Sequence, residues 1–384
     1  MIINSMLDLD LYKLTMQQTV LHQFPGTEVE YEFHCRNKPE VPLNVFTKEI
    51  IDEIKHLCTL RFTEEELDYL STIRYLKKDY IQFLKYFQLD FNNIFIIPTK
   101  NGIHISIKGN WRDTILFETF ILSIVNEVYT RNVYKGTSLK ASQKIKKKIQ
   151  FIKDNPFNLI EFGTRRRFNR DWQECMIIRF KDEIPESLFG TSNVYLAKKY
   201  NLRPMGTMAH ELFMACQQIG PKLKDAQKFA LQKWADEYRG DLGIALSDTY
   251  GVDAFLRDFD LYFAKLYDGV RHDSGCPFEF GEKIIKHYES MGIDPKSKII
   301  VFSDGLNVEL ASKLHKTFND RIKTSYGIGT NLTNDFDLEA LQVVIKMSEC
   351  QGMPVAKISD TPGKTTCKDE EFIKYMKNVY KIKN

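Results

Sequence analysis

Four groups of residues carry side chains suited to phosphate, sugar and carboxylate chemistry. Gly163-Thr164-Arg165-Arg166-Arg167 sets three arginines directly behind a short apolar run. Guanidinium forks bind phosphate and carboxylate bidentately, although such a triple also serves as an ion-paired surface turn. Arg271-His272-Asp273-Ser274-Gly275 joins a cation to a carboxylate in a small turn. Asp273 can meet a sugar hydroxyl or Mg²⁺ and Arg271 an anionic substrate; equally, the group can cap a helix that starts near Pro277. Gly327-Ile328-Gly329-Thr330-Asn331 can aim backbone N–H groups at a phosphate, or be an ordinary turn. His210 follows Met205-Gly206-Thr207-Met208-Ala209, a place where an exposed imidazole acts as nucleophile or base. The residue types do not choose between those roles, or between them and a structural histidine.

Other chemistries lose their signatures. Gly363-Lys364-Thr365 ends like a phosphate-binding loop, but Ile358 stands where the first glycine belongs. His210-Glu211 opens like a zinc-protease helix without the second histidine, and Phe302-Ser303-Asp304 lacks the glycines of a nucleophile elbow.

Positioning these groups requires elements, and the sequence supplies them in two textures. From about residue 155, short apolar runs are each followed by a small polar turn and a helical pattern. The turns fall at 162–164, 189–191, 205–207, 246–248, 272–274, 302–304 and 328–330. Alternating strand and helix predict parallel β/α architecture, and this many units a closed or nearly closed barrel. Sites in such barrels lie at the C-terminal ends of the strands, where every polar group above falls. Before residue 135 the texture is a smaller α/β layer. Val29, Tyr31, Phe33 and Cys35 alternate with polar neighbours over Glu28–Arg36, the period of a strand with one wet face. A helix is expected over 7–22, a capped helix from Thr63-x-x-Glu66, a helix over Lys77–Phe87, and a hairpin turning at Asn101-Gly102. Trp111 to about Val128 reads as a buried core helix, because its longest charge-free stretch falls far short of the ~20 apolar residues that span a bilayer. Lys140–Lys153 is lysine-rich, but Ile145, Ile149 and Ile152 at helical spacing make it a solvated helix face rather than a nucleic-acid arm.

Composition fits this picture. At about 150 residues per domain, 384 residues imply two or three domains. With 54 Lys+Arg against 51 Asp+Glu, the net charge of +3 does not point to a nucleic-acid binder. Seven cysteines without a Cys-x-x-Cys pair argue for a reducing compartment. No secretory signal is visible, and a cytoplasmic location without membrane association is expected.

The stretches LDLDLYKLTMQQ, EFGTRRRFNRDWQE, GTSNVYLAKKY, MGTMAHELFMACQ, RHDSG, VFSDGLN and SYGIGTNLT, in this order over nearly the whole chain, resemble the nicotinate phosphoribosyltransferase family. That resemblance implies an α/β protein of the type II phosphoribosyltransferase fold. An N-terminal α/β sandwich (1–135, with 345–384 packing back on it) would precede an irregular, incomplete β/α barrel (136–344). It implies joining nicotinate to 5-phosphoribosyl-1-pyrophosphate, coupled to ATP through a phosphohistidine and accompanied by Mg²⁺, in NAD synthesis and salvage. A homodimer with shared active sites is implied too; no metal ligands follow.

By match to the family motifs, His210 would be the phosphorylated histidine. Thr207 and Tyr12 would contact nicotinate, Tyr12 from the other subunit. Phe162 would stack on the pyridine, and Arg165 would meet the carboxylate or the diphosphate. Arg271 and Asp273 would line base and ribose, with Asp273 catalytic. Asp304 and Asn307 would point to the ribose phosphate, and Gly329 and Thr330 would cradle it. Cys276 departs from the acidic residue that often follows RHDSG. Ser192 replaces the aspartate of related amide-using enzymes and favours the acid over nicotinamide. Two alternatives stand beside this reading: nicotinamide phosphoribosyltransferase, and a non-catalytic phosphosugar-binding regulator on the same fold.

Overall fold

Val29, Tyr31 and Phe33 are buried in the strand they were expected to form, β1 (Glu28–Cys35), while its even-numbered residues face outward. The structure is a computed structural model that describes residues 1–361 and 365–382; Gly363 and Lys364 lie outside the described residues. A hairpin of β2 (Ile94–Thr99) and β3 (Gly102–Asn110) buries Ile103, Ile105 and Ile107, each worth about 1.5–3 kcal/mol. Its turn is Lys100-Asn101, one residue earlier than expected, and neither Asn101 nor Gly102 takes a positive φ. The pairing of Ile97 with His104 and Thr99 with Gly102 sets the register, so Gly102 belongs to the strand.

The second sheet is parallel and buried on both faces, which is why its strands read as short continuous apolar runs. It comprises β4 (Leu159–Glu161), β5 (Leu188–Thr191), β6 (Ile244–Leu246), β7 (Gly269–His272), β8 (Ile299–Phe302) and β9 (Lys323–Ile328). Their order is β5-β4-β9-β8-β7-β6. Among the described residues this sheet has six strands, not seven. Met205-Gly206-Thr207 follows no strand of its own; only Pro204 makes a single parallel bridge, to Thr191. The barrel is therefore irregular and incomplete, open between β5 and β6.

After the barrel, β10 (Val343–Cys350) returns to the first sheet and pairs antiparallel with β1, with β11 (Met353–Pro354) at its edge. The order of that sheet is β11-β10-β1-β3-β2. The last helix, Glu370–Tyr380, does not follow β10. Its Tyr380 ring stacks on Tyr250 at 4.3 Å, and its hydroxyl donates to the Leu223 carbonyl, so it lies on the barrel side. The expected return of 345–384 is thus divided between the two parts.

The first helix starts later than its pattern suggested, at Leu11–Gln23, and is buried from Leu11 to Val20. The apolar run after Trp111 breaks into two helices, Trp111–Thr114 and Phe117–Val133. The lysine-rich helix, Leu139–Asp154, buries Ile145, Ile149 and Ile152 as its spacing required. Lys144 and Lys148 are ion-paired with Asp335. Among the described residues no helix is long and apolar enough to cross a membrane, and all seven cysteines are free.

Candidate active site

The strand ends of the barrel and the returning strand β10 enclose a polar cavity of about 690 Å³. Tyr12, Phe162, Arg165, His210, Arg271, Asp273, Asp304, Asn307, Gly329 and Thr330 all line it. Ser192 and Thr207 do not. They line an adjoining, more apolar cavity of about 650 Å³, which opens beside the gap between β5 and β6 and shares Tyr12, Phe162, Arg165 and Arg271.

The loop after β4 splits its three arginines between three tasks. Arg165 lies 3.4 Å from Asp10 and 3.8 Å from Glu118, with its guanidinium 5.7 Å from the centre of the Tyr12 ring. Arg166 donates to the Val343 carbonyl and to Gln342, tying the loop to β10; burial, reinforced by Arg165, pulls it down to about 10. Arg167 is fully buried and donates twice to Asp8, at 2.6 and 2.8 Å. Of the two uses open to the triplet, anion binding and ion pairing, the fold gives Arg167 the second, buried rather than at the surface.

Phe162 owes its place to Gly327: a Cβ there would meet the Phe162 ring at 2.4 Å. Gly327 itself lies inside β9, so the double-glycine segment makes room for an aromatic ring as well as a loop. Gly206 has a similar reason, since its Cβ would come within 2.8 Å of the Tyr12 nitrogen.

Tyr12, expected from the other subunit, lines the cavity of its own chain. The segment before it is pinned by backbone bonds: Leu11 N–H donates to Ser192 O, and Val194 N–H to Leu9 O. Those bonds fix the start of the first helix against the end of β5, so the tyrosine completes the cavity within one chain.

His210 begins the helix His210–Ile219. Its Nε2 is 2.8 Å from Asp248 and 3.6 Å from Asp273. Asp248, just beyond β6, also accepts from Ser274 at 2.7 Å and from the buried Lys357 at 2.8 Å. Burial, reinforced by the Lys357 ammonium, pushes the imidazole down to about 4 against the pull of the two carboxylates. Burial alone would raise Asp273, but Arg271 at 2.9 Å holds it well below the usual carboxylate range. Ser303 braces the pair, accepting from Arg271 Nε and donating to Asp273. Asn307 caps the helix Val308–Phe318 through its side-chain oxygen. Cys276 is exposed at the N-terminus of the helix Pro277–Ser290 and is not part of the cavity lining.

Comparison with known proteins gives this arrangement its relatives. Residues 157–384 match the profile of the nicotinate phosphoribosyltransferase (NAPRTase) family, and residues 7–126 that of its N-terminal domain. The chain belongs to this family. It is 50% identical to a nicotinate phosphoribosyltransferase of Ralstonia nicotianae over 389 residues, covering 100% of both chains. It is 50% identical to one of Burkholderia mallei, covering 100% of this chain and 98% of the relative. Among solved structures, the nicotinate phosphoribosyltransferase of Vibrio cholerae superposes with a TM-score of 0.95 at 42% identity, covering 100% of this chain and 95% of that one. That of Porphyromonas gingivalis gives 0.94 at 35%, with 99% and 100% coverage.

Within the family frame, two residues alter what the motifs suggested. Ser192 donates its hydroxyl to Asp10 at 2.6 Å, so a carboxylate stands beside it even though position 192 is not acidic. Sequence reasoning also passed over Lys357. It comes after β10 and β11, outside any strand-end turn, and nothing in its neighbourhood marks it. Asp248 was visible as a strand-end residue, though not as the partner of His210.

Proposed function

We propose that the chain joins nicotinate to 5-phosphoribosyl-1-pyrophosphate, releasing nicotinate mononucleotide and diphosphate. One observation carries this reading: an aromatic pair, an arginine clamp, a ribose-facing carboxylate and a histidine converge on one cavity in a chain of this family. Nicotinate stacks against Phe162 and Tyr12, with its carboxylate toward Arg165. As the bond from ribose C1 to diphosphate breaks, positive charge develops on the sugar. Asp273, kept ionised by Arg271, faces that charge, and such preorganised charge supplies a large share of the rate. Asp304 and Asn307 serve the ribose phosphate end, with the Gly329-Thr330 turn.

ATP enters the reading through His210. With one ring nitrogen held by Asp248, the other keeps its lone pair and attacks the γ-phosphate, releasing ADP. Hydrolysis of the resulting phosphohistidine then accompanies product release. Mg²⁺ fits the donor chemistry at Asp273, whose second oxygen accepts no hydrogen bond among the described residues. Asp248 is already engaged by three donors. A hard cation held by one or two carboxylates and by substrate phosphates neutralises the diphosphate. The reading puts the reaction in the cytoplasm, in NAD synthesis and salvage. Homodimerisation belongs to it as well.

The test is a product assay with nicotinate and phosphoribosyl pyrophosphate, with and without ATP. Nicotinate mononucleotide and diphosphate should form in equal amounts, and ATP should raise the rate. Nicotinamide is the second reading, because Asp10 beside Ser192 can accept from an amide N–H₂; a higher kcat/KM for nicotinamide than for nicotinate would select it.

The low pKa of His210 gives a prediction with a definite sign. Only the neutral ring attacks ATP, and it persists down to about pH 4 rather than about 6.5, the unperturbed value. Phosphorylation of His210 should therefore hold its rate from pH 8 to about 5 and fall below that. Lys357→Met removes the cation that disfavours the imidazolium, so the acid limb should move upward, toward 6.5. A limb that stays in place would show that Lys357 does not act on His210.

A further inference from the structure

The first helix carries Tyr12 into the base slot, and its next residue is a buried lysine that reaches the helix of His210. Lys13 is completely buried. Its Nζ lies 2.5 Å from Glu118 and 2.5 Å from Glu211, the residue that follows His210. The same ammonium sits 5.2 Å from the centre of the Tyr12 ring. Glu211 is held from its other side by the Tyr31 hydroxyl at 2.5 Å and by the Trp111 indole N–H at 3.4 Å. Glu118 faces Arg165, the second cation over Tyr12. One buried cation thus joins three places: the first turn of the His210 helix, the aromatic ring of the base slot, and the carboxylate that faces the arginine clamp.

We infer that Lys13 is a positioning residue that makes the base slot respond to the charge on His210, through the chain His210–Glu211–Lys13–Tyr12. The inference rests on the phosphohistidine reading. A phosphoryl group brings close to two negative charges to the turn that already holds Glu211. Lys13 is the cation that can shift its balance between Glu211 and Glu118 in answer. Because its ammonium lies against the Tyr12 ring and opposes Glu118, any shift is felt at the ring and at Arg165. Lys13 and Glu211 are buried, so water screens their attraction little and a small displacement carries a large change in interaction. ATP would then act on nicotinate binding without touching nicotinate.

The experiment measures kcat/KM for nicotinate with and without ATP, together with phosphate incorporated at His210, for wild type and three variants. Lys13→Gln removes the charge, and Lys13→Arg keeps it. Lys13→Met combined with Glu118→Gln removes one charge of each sign and guards against misfolding from a lone buried carboxylate. In the wild type the ratio of the two kcat/KM values should lie within the 5–150-fold range of roughly 1–3 kcal/mol couplings. In Lys13→Gln and in the double variant it should fall to about one, while His210 is still phosphorylated. Lys13→Arg should keep part of the ratio. The inference is overturned if the ratio survives in the uncharged variants, or if both kcat/KM values drop by the same factor, as a merely structural lysine would cause. If wild-type His210 takes no phosphate, the phosphohistidine reading itself falls and this inference with it; a phosphorylated wild type with an unchanged ratio in Lys13→Gln removes this inference alone.

Discussion

His210→Ala should abolish ATP hydrolysis and the stimulation of product formation by ATP, a loss of roughly 10³-fold or more in ATP turnover, as for removal of other catalytic nucleophiles. The surroundings of the ring suit the proposed nucleophile: Asp248 orients it, Lys357 disfavours its protonation, and the start of a helix would favour the negative charge of a phosphoryl group. Slow phosphoribosyl transfer should remain, because Phe162, Arg165 and Arg271 stay in the cavity and Asp273 keeps its bonds from Arg271 and Ser303. The check is incubation with γ-labelled ATP followed by peptide mapping in alkali, where phosphohistidine survives. Label on another residue, or an alanine variant that ATP still stimulates, would overturn the ATP mechanism and leave the phosphoribosyl assignment standing.

Arg167→Met should cost about 3–5 kcal/mol of stability, the usual penalty for stranding one member of a buried ion pair. Arg167 has no exposed surface, and Asp8, left behind, would keep only Asn193 as a close donor besides the more distant Arg170. Urea unfolding should show a markedly lower midpoint, and Arg167→Met with Asp8→Asn should cost less than the sum of the single changes. The pH dependence follows from Asp8. Burial alone would raise its pKa, but Arg167 holds the carboxyl below its ordinary value. A depressed carboxylate contributes stability that is present above the unfolded pKa, about 3.9, and is lost as pH falls below it. In Arg167→Met that acid-sensitive portion should vanish. An unchanged midpoint with lost activity would instead assign Arg167 to anion binding.

The arginine triplet shows what was legible in the sequence and what was not. That a strand must precede Gly163 was readable, because an apolar run followed by a glycine turn has few other solutions. That Arg165 faces the base slot, Arg166 braces β10 and Arg167 is buried depends on a 3₁₀ turn at Thr164–Arg166 and on Asp8, some 160 positions earlier. No local pattern encodes that contact. The strand periodicity of β1 was legible because one face is wet and the other dry. The missing seventh strand was not, since Met205-Gly206-Thr207 has the texture of a strand-end turn while Pro204, which lacks an N–H, makes only a bridge. Site residues at strand ends came out of the pattern and the family motifs. Lys357, Asp10 and Lys13 did not, because they act from segments whose own sequence gives no sign of the cavity. That Tyr12 lines the cavity of its own chain was not legible either, because it depends on the backbone bonds from Leu11 to Ser192 and from Val194 to Leu9.

The pairing of β1 with β10 bears on how the protein is made. Ser348 and Glu30, which share a hydrogen bond across that pairing, are 318 residues apart. At a ribosome speed of about 5–20 residues per second, β1 is synthesised roughly 15–65 s before its central neighbour exists. During that interval the first sheet is left with an unpaired strand edge, the kind of surface that recruits foreign strands. Within the barrel β6 to β9 pair in succession, but β4 waits for β9, with Leu159 opposite Tyr326; the cavity closes only when the returning strand follows. Nascent chains should therefore be open to chaperones and proteases along β1 until late in translation, and a ribosome stalled before residue 343 would hold a barrel without its roof.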